Sequence, residues 1–112
     1  AGRIAPPVHF GTLFRMLGAD GLVFPNHGGR FGYSPDTCRD IAGRATAAWS
    51  GLETSLPIPA GGMTTERTAE MLSFYGPDVM LLIGGNLLAA KDRLVEATAR
   101  FVRAVEEFRH AP

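Results

Sequence analysis

Val79-Met80-Leu81-Leu82-Ile83-Gly84-Gly85-Asn86 is an unbroken apolar run that stops on a glycine pair. Bounded by Pro77-Asp78 before it and the glycines after it, the run reads as a buried β-strand, the clearest in the chain. The same arrangement occurs twice earlier. Gly21-Leu22-Val23-Phe24-Pro25 leads into Gly28-Gly29, and Ser55-Leu56-Pro57-Ile58-Pro59 leads into Gly61-Gly62. The first of these runs does not alternate, which predicts a strand buried on both faces.

Helical periods separate the runs. Phe10, Leu13, Phe14 and Leu17 share one face of a helix that can begin at Pro7 and end at Gly18. Ser34 is placed to cap a second helix, with Pro35 at its first position and a stripe of Cys38, Ile41, Ala45, Ala48 and Trp49. Thr64 or Thr65 caps a third, with Thr68, Met71, Leu72 and Tyr75 inward and a stop at Gly76-Pro77. Leu94, Thr98, Phe101, Val105 and Phe108 mark a last amphipathic helix. The predicted order is α-β-α-β-α-β-α, an α/β class with parallel strands. It describes either a small open domain or an arc of a larger closed barrel. The two prolines of the middle run are awkward in a central strand.

The chain has 112 residues, 46% hydrophobic and 20% charged, with 11 basic and 11 acidic side chains. That is at most one domain. A zero formal charge argues against nucleic acid or an anionic membrane as a partner, and no run approaches the roughly 20 apolar residues of a membrane span. The opening Ala1-Gly2-Arg3-Ile4-Ala5-Pro6-Pro7 has no initiator Met and no charged-then-apolar leader, so it reads as neither a signal peptide nor an obvious natural beginning. A single cysteine excludes a disulfide framework, and a cytoplasmic protein is expected.

All three glycine pairs follow a strand, at the face where α/β folds bind ligands. Glycine lets backbone N–H groups approach a phosphate closely. One such pair alone reads as an ordinary tight turn. Gly61-Gly62 and Gly84-Gly85, after consecutive strands, read together as a candidate phosphate site. No Asp or Glu falls just after a strand, so no metal ligand is expected from this stretch. His9, His27 and His110 lack ligand spacing, and Cys38 on an apolar face reads as core. The reactive residue types collect in Asn26-His27-Gly28-Gly29-Arg30-Phe31-Gly32-Tyr33. There Arg30, flanked by glycine, suits a lid that neutralises developing charge, and His27 is a second catalytic candidate.

Phe10-Gly11-Thr12-Leu13-Phe14-Arg15-Met16-Leu17-Gly18-Ala19-Asp20 followed by Val23-Phe24-Pro25-Asn26-His27-Gly28-Gly29-Arg30-Phe31 resembles the end of the RuBisCO large-subunit superfamily. Pro59-Ala60-Gly61-Gly62-Met63 and Leu82-Ile83-Gly84-Gly85-Asn86 continue the match in order. The resemblance implies that residues 1–112 are the C-terminal portion of a (β/α)8 barrel, about strands 6–8 with their flanking helices. It further implies a mobile loop whose catalytic lysine falls on Arg30, and phosphate binding at Gly61, Gly62, Gly84 and Gly85. Magnesium is implied too, its ligands lying on earlier strands, as is a homodimer.

Carboxylases of the superfamily have serine where Ala60 stands, and histidine where Val23 and Thr64 stand. The chain therefore resembles the RuBisCO-like proteins. Its loop is most similar to the decarboxylase and transcarboxylase/hydrolase group for 3-oxo-isoapionate 4-phosphate. The expected function is decarboxylation or C–C cleavage of a phosphorylated sugar acid through an enediolate, by a lyase-type enzyme. The alternatives are a ketopentose-phosphate enolase or isomerase of a methylthio-sugar pathway, which would need an apolar pocket for the thioether, and a non-catalytic phosphosugar-binding module.

Overall fold

The computed structural model describes residues 4–110; Ala1, Gly2 and Arg3, where the leader reading begins, lie outside them, as do Ala111 and Pro112. Helix α1 comprises a π-wound stretch, Pro7–Leu13, and an α-helical turn, Phe14–Met16. Gly18, at φ +91°, ends it as the sequence predicts. Strand β1 is Gly21–Pro25, helix α2 is Pro35–Thr46 and strand β2 is Leu56–Ala60. A single 3-10 turn, Thr65–Arg67, opens helix α3, Thr68–Tyr75. A short helix α4, Gly85–Leu88, and a second 3-10 turn, Lys91–Arg93, precede helix α5, Leu94–His110.

The caps are where the residue types place them. Ser34 Oγ accepts from the Thr37 N–H at 3.2 Å, and Thr64 Oγ1 accepts from the Arg67 N–H at 3.3 Å. Helix α2 stops at Thr46, so Ala48 and Trp49 are not on its stripe; Trp49 instead lies under the Arg15 guanidinium. Arg15 is almost fully buried without a carboxylate. Its guanidinium donates to the carbonyls of Glu53, Arg44 and Leu52 at 2.8, 2.9 and 3.2 Å, which satisfies the end of α2 and the loop beyond it. Helices α1 and α2 meet at Gly11, where an added Cβ would lie 2.7 Å from that of Arg44.

Strands β1 and β2 pair in parallel from Gly21 with Leu56 to Pro25 with Ala60. Leu22 and Phe24 are buried beneath the helices, with Cys38, Ile41 and Met71. Val23, between them, is 52% exposed, so β1 is covered on one face only, contrary to the reading of its uniform composition. The open face continues in Met80 and Leu82. An apolar sheet face left uncovered belongs to a partial barrel whose interior needs strands from elsewhere.

The strand expected over Val79–Ile83 is reduced to a single bridge, Leu82 with Ala60. The prolines of β2 account for this. Leu56 and Ala60 bond toward β1, so Pro57 and Pro59 face the third run. Their carbonyls accept from Met80 and Leu82 at 3.0 and 3.3 Å, but proline has no N–H to return. Half of the ladder cannot form. Among the described residues no helix is long and apolar enough to cross a membrane.

Candidate functional site

The two later glycine loops, separate in the chain, meet across one cleft of about 380 Å³. Gly61, Gly62, Met63 and Thr64 line one side, and Gly84, Gly85 and Asn86 the other. Among the described residues, the N–H groups of these four glycines donate to no protein acceptor. No acidic side chain lines the cleft. Gly61 and Gly62 sit at φ +103° and +64°, a conformation other residues resist. Gly84 differs. Its φ is −136°, and a Cβ there would meet nothing within 4 Å.

A second cleft of about 260 Å³ shares Gly61 and Gly62 with the first. Pro25, Gly29, Arg30, Phe31 and Ala60 contribute to its walls. The structure thus brings Arg30 beside the glycine cradle. The Arg30 side chain is free of any ion pair among the described residues and lies 5.3 Å over the Phe31 ring. Gly29 and Gly62 touch backbone to backbone, since a Cβ on Gly62 would fall 2.8 Å from the Gly29 Cα.

His27 is not brought to either cleft. Its ring stacks on Phe74 of α3, with centroids 4.6 Å apart, and its buried Nε2 has no partner. Burial lowers its pKa, and the Arg67 charge lowers it further. Asn26 does border the second cleft, but its side-chain amide is bonded beneath it to α3. Its Oδ1 accepts from the Tyr75 hydroxyl at 2.6 Å and its amide reaches Met71 Sδ at 3.1 Å. Both anchor the root of the loop rather than its tip. Cys38 is fully buried, with its thiol pKa raised by that burial, which agrees with a core role.

Arg67 carries no motif, and sequence reasoning passed it over. Its Nε donates to Glu70 at 3.1 Å, while its two terminal nitrogens donate to the Gly62 carbonyl at 3.0 Å and the His27 carbonyl at 3.2 Å. Its spacing to Glu70 was readable as a helical ion pair. The contact with His27, 40 positions away, was not.

The magnesium implied by the resemblance finds no donor set here: among the described residues no three His, Cys, Asp or Glu side chains come together.

No protein-family model matches the chain. Over 103 residues, 92% of the chain, it is 64% identical to a 5-methylthioribulose-1-phosphate isomerase of Rhodospirillum rubrum. It is 55% identical over 105 residues to ribulose bisphosphate carboxylase-like protein 1 of Rhodopseudomonas palustris. A 2,3-diketo-5-methylthiopentyl-1-phosphate enolase of Exiguobacterium sibiricum is 36% identical over 84 residues, 75% of the chain and 21% of the enolase. The crystal structure of a Rubisco-like protein from Rhodopseudomonas palustris superposes with a TM-score of 0.85 at 44% identity, covering 97% of this chain. The chain spans 28% of each of the first two relatives and of that structure. The decarboxylation expected above has no counterpart among these proteins, whereas the methylthio-sugar alternative does.

Proposed function

We infer from membership of the RuBisCO-like superfamily, to which this chain belongs, that it is the phosphate-holding, lid-bearing portion of a barrel isomerase or enolase. Its substrate on this reading is a methylthio-bearing ketopentose phosphate. The observation that carries the reading is the pair of glycine loops across one acid-free cleft, with their N–H groups unclaimed. Such N–H groups hold a phosphate without a side chain, and the absence of carboxylates removes the repulsion it would meet.

The neighbouring cleft then receives the carbon chain. On this reading Arg30, which lines that cleft, stabilises the negative charge that develops as a proton is moved between carbons. Phe31, Pro25 and Ala60 supply the apolar wall that a thioether requires. No carboxylate lines either cleft, so the base and the magnesium ligands are assigned to strands outside this segment.

Gly84→Val in the full-length protein tests the cradle. An added Cβ would meet nothing within 4 Å, so the side chain enters open space where the phosphate would sit. Losing one hydrogen bond to a charged group costs about 1.5–3 kcal/mol, on the order of ten- to a hundredfold in affinity. Methylthioribulose 1-phosphate should lose that much, and its dephosphorylated analogue almost nothing. An equal loss for both would refute the cradle.

A further inference from the structure

Arg67 lines neither cleft, yet it is the side chain that ties their two loops together. Its backbone is fixed first: it closes the 3-10 turn, and Thr64 receives its N–H. Glu70 then orients the guanidinium through Nε. The two remaining nitrogens reach carbonyls on different loops, Gly62 after β2 and His27 after β1. A planar fork can serve three acceptors in fixed directions at once; an ammonium on a flexible stem cannot. Gly28 leaves room for it, since a Cβ there would lie 2.9 Å from an Arg67 terminal nitrogen.

The consequence for the cleft follows from peptide geometry. In a trans peptide the C=O and N–H point in opposite directions. Gly62 C=O and Met63 N–H belong to one peptide, and Met63 lines the phosphate cleft while Arg67 does not. Holding the carbonyl on Arg67 therefore turns the Met63 N–H away from Arg67. The same guanidinium fixes the root of the loop that carries Arg30.

We propose that Arg67 is a positioning residue that holds the phosphate cradle and the Arg30 loop in register, without touching substrate. This rests on the cradle reading above, and the test separates the two. Inorganic phosphate and the phosphorylated and dephosphorylated sugars serve as probes of the full-length protein. Arg67→Lys keeps the charge but cannot span both carbonyls. It should raise KM for the phosphorylated sugar on the order of tenfold, weaken inhibition by inorganic phosphate in parallel, and lower kcat through the loosened Arg30 loop, by less than the loss of Arg30 itself. Glu70→Ala removes an exposed carboxylate and frees the guanidinium to swing, so it should shift KM a few-fold in the same direction with the fold intact. A wild-type protein that does not distinguish the two sugars refutes the cradle itself. A wild type that does, with Arg67→Lys and Glu70→Ala discriminating equally well, refutes the positioning role alone. So does a loss of stability in Arg67→Lys with discrimination unchanged.

Discussion

The cleft has two walls that are held in place by different means. On one side, residues 14–75 carry every buried side chain of the described chain, including Phe24, Cys38, Ile41 and Met71. The Gly61-Gly62 loop there is fixed by backbone contact with Gly29 and by Arg67. On the other side, residues 76–110 have no buried residue. Gly84-Gly85 rests on one bridge and on two hydrogen bonds to proline carbonyls, and Leu88 and Val95 are largely exposed. One wall is organised by its own core. The other awaits neighbours that a closed barrel supplies.

Hydrogen exchange on the 112-residue chain should expose that contrast, with slow amides in β1, α2 and β2 and fast ones beyond Gly76. Ile41→Ala, at a fully buried site, should lower the slow class by about 2–5 kcal/mol. Leu88→Ala, at a site 67% exposed, should stay within about 0.5 kcal/mol. Uniform protection across both regions would erase the distinction.

Within the packed region, two arginines sharpen it. Arg15 is enclosed by three carbonyls, whereas Arg30 is exposed over Phe31. Arg30→Ala in the full-length enzyme should cost on the order of 10²–10³ in kcat, the scale for removing one donor to developing charge. Arg30→Lys should recover part of it. The melting temperature should scarcely move in either, because an exposed loop adds little to stability. A stability loss with kcat retained would make Arg30 structural.

The packed wall was also the legible one. Ser34, Thr64, Gly18 and Gly76 act at helix ends through local chemistry, which the neighbouring residues reveal. Val79–Ile83 misled because a strand needs a partner as well as apolar residues, and Pro57 and Pro59 withhold the donors. The prolines were visible, but which way they faced depended on the register of β2 against β1. The glycine pairs were readable as loops after strands. That Gly61 and Gly62 are also needed for contact with Gly29, and that Arg67 joins the two loops, are long-range facts without a local signature.

The smallest effect concerns His27, which separates an anchor from a reactive group. Its ring is enclosed by Phe74 and Tyr75 and faces the charges of Arg67, Glu70 and Arg39. Burial and the two arginines hold its pKa below the ordinary 6.5, outweighing Glu70, which acts in the opposite sense. The neutral ring is therefore the native form. Between the folded value and 6.5 the unfolded chain binds more protons than the folded one, so stability is whole above about 6.5 and falls as the pH drops through that window. The urea midpoint of the full-length protein should decline from pH 7.5 toward 5.5, a range that stays above the carboxylate titrations. His27→Phe fills the same space against Phe74 without a titrating nitrogen, so it should flatten the decline and leave kcat unchanged. An unaltered slope would place the titration elsewhere, and a lost kcat would return His27 to the chemistry.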